Sequence, residues 1–293
     1  MNKDIDTLLH SFGLTRVANQ LEQIALPSIR IASTAIRESL LSPGASKLGG
    51  LPDLPPEIEW PTWNDVPLAF IAQIDLAEVH TVDRMGVLPP SGLLSFFYNA
   101  DHIPVGYDPA WRGGWRVLYY DGIYSRLRRV PVPVSLLERQ SIWMPVGQHY
   151  TACALTFSLE TTLPPVNSSY IQTLGLSEQE RDAYLQILKA MREREDKPLH
   201  RLLGHPDALQ GDMQLECQLV SHGLSLAHGW PTDMTRVEEL QAGSQEWQLL
   251  LQLDTDPEAQ MVWGIEGRCY YWIQAKALQD RQFEHTWFIM QWT

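Results

Sequence analysis

Basic charge, cysteine and long apolar runs are all scarce in this 293-residue chain, and each scarcity removes a class of function. Only 22 Lys and Arg stand against 35 Asp and Glu, a formal charge of -13 that repels the phosphates of nucleic acid and of anionic membranes. No nucleic acid and no membrane is therefore expected as a partner. The densest basic stretch, Arg126 to Arg129, runs into Val130-Pro131-Val132 and reads as a strand with a solvated edge rather than a phosphate cradle. The three cysteines, Cys153, Cys217 and Cys269, lie far apart and form no C-x-x-C pair. That argues against a disulfide framework or a zinc knuckle and fits a reducing, cytoplasmic location. The opening Met1-Asn2-Lys3-Asp4-Ile5-Asp6 has no basic stretch leading into an apolar run, and no uninterrupted apolar stretch approaches membrane-spanning length. Neither a standard export signal nor insertion is expected.

The common catalytic signatures are missing too. No H-E-x-x-H, G-x-S-x-G or G-x-G-x-x-G occurs, which removes the zinc-peptidase, hydrolase-elbow and dinucleotide readings. Gly44-Ala45-Ser46-Lys47-Leu48-Gly49-Gly50 invites a phosphate-loop reading, but Gly50 stands where lysine should follow the second glycine. Asp254-Thr255-Asp256-Pro257-Glu258 spaces its oxygens as a calcium loop does, yet Ala259 takes the glycine position and Ile265 the final glutamate position. Cys217 has His222 five residues on, but nothing indicates a lowered thiol pKa, and the expectation is a buried inert thiol. No metal and no cofactor is expected.

What is present is a strand-rich α+β pattern. Residues 4 to 26 carry two helical stripes, Ile5, Leu8, Leu9 and Phe12, then Val17, Leu21, Ile24 and Ala25, and the N-terminal helices are assigned to 1–30. A Pro- and Gly-rich loop over 44–61 precedes a strand in which Leu68, Phe70, Ala72 and Ile74 share one face and Ala69 and Ile71 the other, the signature of a central strand. Further strands are expected at 93–98, 115–120 and 152–159. No helical crossover separates these runs, so the sheets are expected to be antiparallel. Over 177–196 the period changes to that of a helix, with Tyr184, Ile187, Leu188 and Met191 on one stripe and Ser177 with Glu180 forming a capping box.

Three blocks recur in the same order on either side of that helix. Gly50-Leu51-Pro52-Asp53 is answered by Gly204-His205-Pro206-Asp207, and Phe70-Ile71-Ala72-Gln73-Ile74-Asp75 by Leu249-Leu250-Leu251-Gln252-Leu253-Asp254. Gly92-Leu93-Leu94-Ser95-Phe96-Phe97-Tyr98 is answered by Gly267-Arg268-Cys269-Tyr270-Tyr271-Trp272-Ile273. The expectation is a single unit, 1–293, built from two duplicated, pseudo-symmetric halves, 40–160 and 200–293, joined by the 177–196 helix. The same blocks, with Glu59-Trp60-Pro61, Gln210-Gly211-Asp212 and Trp263-Gly264, resemble the YwqG-like bacterial proteins, a family classed as a domain of unknown function. The resemblance implies an α+β fold and no established activity. Some relatives are linked to toxin and immunity loci, which implies protein binding.

Gln73 with Asp75, and Gln252 with Asp254, stand two apart on strands, so each pair projects from one face at the end of an apolar element. A carboxylate there must be solvated, hydrogen-bonded or paired. Two readings follow. Either each Asp ties down its own Gly-x-Pro-Asp loop, or the pairs line one acidic cleft with Asp53, His205, Asp207, Gln210, Asp212 and Asp256. The Trp111-Arg112-Gly113-Gly114-Trp115 loop is a second candidate, a partner surface that would present Trp111 and Trp115. The function expected is a non-enzymatic binding or protein-interaction module with a protein partner. The alternative is an enzyme of unrecognised class acting through the acidic cleft.

Overall fold

The computed structural model describes residues 3–138, 144–145, 147, 149–193 and 198–293. Ten strands form one antiparallel sheet: β1 Leu26–Ala35, β2 Lys47–Leu48, β3 Ala69–Asp75, β4 Leu93–Tyr98, β5 Trp115–Tyr120, β6 Cys153–Thr162, β7 His200–Leu202, β8 Trp247–Asp254, β9 Arg268–Gln274 and β10 Trp287–Gln291. Their order across the sheet is β10-β9-β8-β7-β1-β6-β2-β3-β4-β5. The expected antiparallel α+β character is observed, but as one sheet through the whole chain rather than one sheet per half. The longest ladder, ten paired residues of β1 and β6 from Leu26↔Thr162 to Ala35↔Cys153, lies at its centre.

β1 is where the structure departs most from the sequence pattern, since residues 26–30 fall within the span 1–30 that the pattern gives to the N-terminal helices. Ile29 and Ile31 are fully buried, while Ser28 and Arg30 bury polar groups on the other face. A central strand with polar residues on its covered face loses the apolar signature that marks β3.

The sheet curls until its ends nearly meet. Phe96 of β4 packs edge-on against Tyr271 of β9 at 5.1 Å, and Tyr98 lies 4.7 Å from Phe288 of β10. Trp115 of β5 meets Trp287 at 5.0 Å, and its indole N–H donates to the Thr286 carbonyl. Strands at opposite ends of the sheet thus share an inner core of aromatic and aliphatic side chains. The seam between β5 and β10 is filled by the loop after β4, where Val105 accepts a hydrogen bond from the Met290 N–H.

Helices lie outside the curl. α1 (Lys3–Ser11), α2 (Ala18–Ile24) and α3 (Glu178–Glu193) form a separate apolar layer around Leu9, Leu21, Tyr184 and Ile187. The capping box is present: Ser177 N–H donates to Glu180 Oε2 at 2.9 Å, and Glu180 N–H to Ser177 Oγ at 3.2 Å. Arg16 of the N-terminal segment grips both Glu180 oxygens at 2.7 Å, which sutures this layer together. Residues 194–196, given to α3 in the sequence, lie outside the described residues. α4 (Gln214–Ser221) and α5 (Met234–Gln241) pack on each other around Leu219, Val237 and Leu240.

Candidate functional site

Strand alternation decides where the candidate residues go. Ala72 pairs with Phe96, so with Phe96 inside, Gln73 and its partner Ser95 point out. Tyr271 is inside, so Tyr270 and its partner Gln252 also point out. Both Gln-x-Asp ends therefore sit on the convex face.

There each glutamine is the hinge pin of a loop. Gln73 Oε1 accepts the Asp53 N–H at 3.0 Å, while its amide nitrogen donates to Asp53 Oδ2 and the Ala45 carbonyl, each at 2.8 Å. Gln252 Oε1 accepts the Asp207 N–H at 2.8 Å, and its nitrogen donates to the Leu199 carbonyl at 2.6 Å and Asp207 Oδ2 at 3.2 Å. A side-chain amide serves because it offers both an acceptor for the loop N–H and donors for the carboxylate. The loops turn sharply at Gly50, φ +68°, and Gly204, φ +74°, where a Cβ would come within 2.2 Å of Glu38 Oε1 and 2.6 Å of Ser28 and Thr162.

Each loop carboxylate is answered by a buried cation. Lys47 is wholly buried on β2, 2.9 Å from Glu38 and 3.4 Å from Asp53, and Arg129 approaches Asp53 at 3.1 Å. Burial pushes the Asp53 carboxyl up, but Lys47, Arg129, the Gly44 N–H and Gln73 together hold it below the usual carboxylate range. Burial pulls the Lys47 ammonium below its ordinary value despite Asp53 and Glu38. In the other half Arg201 of β7 reaches Asp207 at 2.7 Å and Glu160 at 2.9 Å, and Arg192 of α3 reaches Asp207 at 3.1 Å. Burial again raises the carboxyl, and Arg201, Arg192 and Arg268 outweigh it, bringing Asp207 down to about 2.

The outer aspartates are engaged as well. Asp75 accepts from the Tyr124 hydroxyl at 2.8 Å and caps the turn at Ala77, and its own N–H donates to Ser46 Oγ. Asp254 lies 3.0 Å from Arg268 and accepts the Leu199 N–H, and its N–H donates to His200 Nδ1 at 3.0 Å. Asp256 pairs with His200 at 3.1 Å and accepts from the Ser33 hydroxyl and the Glu258 and Ala259 N–H groups. The oxygens that resembled a calcium loop are thus spent within the chain. Burial raises the Asp256 carboxyl, and His200 and Ser33 lead the groups that bring it down to about 2.

The structure places these residues in separate networks. From β3 to β8 there are five strand steps across the convex face, roughly 24 Å at about 4.8 Å per step, so Gln73 and Gln252 do not line one cleft. His205 belongs to the second loop: its N–H donates to Thr162 Oγ1, and its Nε2 lies 2.7 Å from the Ile24 carbonyl. Burial, with Arg201 nearby, pulls its pKa down to about 4. Gln210 donates to the Trp292 carbonyl, and Asp212 accepts the Gln214 and Ser169 N–H groups. The Trp111 to Trp115 loop does not present two rings. Trp115 is buried against Trp287 and Phe288, and Trp111 leans on Trp63 at 5.7 Å. The sequence pattern does not single out the counter-ions Lys47, Arg129, Arg192 and Arg201. A signal exists for two of them, since Lys47 and Arg201 stand at the same distance before the matched Gly50 and Gly204.

Cavities on the described surface include three of note. One of about 240 Å³ lies between α3 and the central strands and is bounded by Arg30, Arg192, Arg201 and Asp207, where the guanidiniums of Arg192 and Arg201 serve the loop network and that of Arg30 donates to the Pro198 carbonyl. A second, of about 440 Å³, lies at the seam between Ile103 and Val105 on one side and Trp263, Met290 and Trp292 on the other, with Tyr98 at its floor. Its wall is nearly all carbon, and its rim leaves Val262 49%, Ile265 73% and Trp292 38% exposed. The third, of about 200 Å³, lies beside the second loop between Tyr170, His205 and Trp272.

Fold and site define an α+β protein of one curled antiparallel sheet whose polar strand residues lock its loops. Residues 46–292 match the family described as Domain of unknown function (DUF1963), and the chain belongs to that family. A search of the curated proteins finds no match. Among the described residues no helix is long and apolar enough to cross a membrane.

Proposed function

We propose that this protein is a cytoplasmic protein-binding module whose contact site is the apolar pocket at the seam of the sheet. The observation that carries the reading is the pairing of a concave carbon-lined pocket with a protruding apolar rim at Val262, Ile265 and Trp292. Burying such a rim favours association, and an aromatic-edged hollow suits one inserted side chain of a partner. The net charge of -13 selects a partner with a basic surface and speeds its approach. The likeness to the YwqG-like proteins, with their links to toxin and immunity loci, points the same way.

The acid–base alternative draws no support from the Gln-x-Asp ends, because their carboxylates are engaged by cations and backbone N–H groups. The proposal includes descent of the two halves from one duplicated unit. Support comes from matched details, since Ile71 and Leu250 both sit at breaks in strand register and accept hydrogen bonds from Gly49 and Leu203. The test is selection from a displayed random heptapeptide library. Winning peptides should share a bulky apolar residue flanked by Lys or Arg, and should lose at least tenfold in affinity to Ile265→Asp and Trp292→Ala. Peptides without that pattern, binding unchanged by either substitution, or an empty selection would each refute the assignment.

A further inference from the structure

The turn that carries the rim of the seam pocket is held in a costly shape. Gly264 has φ +76° and Glu266 φ +48°, and a Cβ on Gly267 would lie 1.5 Å from the Trp263 carbonyl oxygen. The turn is clamped from two sides. The Ile265 carbonyl accepts the N–H and the hydroxyl of Thr293, each at 3.2 Å, and the Gly267 carbonyl accepts those of Thr255 at 3.3 and 3.1 Å. Left-handed backbone disfavours any residue with a Cβ, and such residues gather at functional sites. Of the seven described non-glycine residues at positive φ, three, Ile103, Gln260 and Glu266, lie in the wall of this pocket or within two residues of it. Ile103, branched at Cβ, is the most strained of them by type.

Glu266 is the charged one. The residue is exposed, and its carboxylate makes no hydrogen bond or ion pair among the described residues. The loop aspartates, by contrast, are spent on Lys47, Arg129, Arg192 and Arg201. No residue lining the pocket carries a charge, so Glu266 sets a carboxylate directly beside Ile265 on an otherwise apolar rim. Glycine would take this backbone without steric cost, and the glutamate carboxylate adds nothing to the bonding of the fold. Its use lies outside the chain.

We propose that Glu266 is the specificity residue of the seam site, its carboxylate pairing with a Lys or Arg beside the apolar side chain that enters the pocket. The inference rests on the seam pocket being the contact site. The clamped turn fixes Ile265 and Glu266 before a partner arrives, which lowers the ordering cost of binding. The experiment selects one displayed random heptapeptide library against the parent and against Glu266→Gln in parallel, with thermal scans of both and of Glu266→Gly. Peptides from the parent should carry a basic residue beside the apolar one, and those from Glu266→Gln should keep the apolar residue and lose the basic one. A parent-selected peptide should bind Glu266→Gln about two- to fivefold more weakly at low salt, and the difference should shrink at about 0.5 M salt, as for an exposed ion pair. Glu266→Gly should melt above the parent, since it relieves the left-handed strain. Basic flanks selected equally by both proteins, or a Glu266→Gly protein that melts below the parent, would overturn the role of Glu266 and leave the pocket standing. Basic peptides with no shared apolar residue, lost in Glu266→Gln, would refute the pocket and support the charge reading. An empty selection against the parent would overturn both.

Discussion

Replacing Lys47 by Met tests whether the first loop is held by charge rather than by shape. The lysine stem is wholly buried and methionine fills a similar volume, so the substitution removes the ammonium and little packing. Asp53 is left buried with Arg129 at 3.1 Å as its remaining cation, and Glu38 loses its contact at 2.9 Å. Breaking a buried pair from one side costs about 3–5 kcal/mol, and the surviving Arg129 contact places this case at the lower end, about 3 kcal/mol at pH 7. Because the Asp53 pKa is depressed in the fold, its contribution is present above the ordinary carboxylate range and is lost as pH falls through the folded value. The penalty of Lys47→Met should therefore shrink as pH falls below about 4, where a protonated Asp53 no longer needs the cation. Urea unfolding followed by tryptophan fluorescence at pH 7 and at about pH 3, below the ordinary carboxylate value, measures both quantities. The double variant Lys47→Met/Asp53→Asn should be more stable at pH 7 than Lys47→Met alone, since no buried charge is stranded. A cost below about 1 kcal/mol, or one independent of pH, would mean that the ion pair does not hold the loop.

Three further outcomes are expected. Gly106→Ala should cost about 3 kcal/mol or more and lower Tm measurably in a thermal scan, since at φ +87° its Cβ would lie 1.8 Å from the Phe288 carbonyl oxygen at the seam. Burial and the neighbouring Asp212 push the Glu216 carboxyl up to about 7, so its contribution to stability is fully present below its unfolded value and is lost as pH rises through 7. Glu216→Gln should match the parent near pH 4 and exceed it at pH 8 by at most about 3 kcal/mol in urea titrations. All three cysteines are buried, with burial leading the causes that raise each pKa, to about 12 for Cys153, so a dithionitrobenzoate reagent should find none in the native protein and all three in denaturant.

Much of the fold was legible because local pattern and final environment agree. β3 is apolar on both faces and sits inside the sheet, and the Ser177–Glu180 box starts α3 where the spacing put it. β1 was not legible, because its outer face carries Ser28 and Arg30, whose partners are the Leu202 and Pro198 carbonyls from beyond residue 190. The curl was hidden for the same reason: Tyr271 donating to the Phe97 carbonyl joins residues 174 apart in sequence. The seam pocket went unseen because its walls come from three separate loops and strand ends, none with a chemical signature of its own.

The candidate site shows why a polar strand end invites a functional reading that the structure redirects. Gln73 and Gln252 stand out in sequence as polar residues in apolar strands, a pattern that equally marks a ligand contact or a loop tether. Only the residue opposite distinguishes them. Here it is an aspartate that presents its own N–H and its carboxylate to the same amide, and an amide alone satisfies both at once. Glutamate would accept the N–H but set a second negative charge beside the carboxylate, and leucine would strand both groups. The requirement for Gln is thus met within the fold, with no ligand needed.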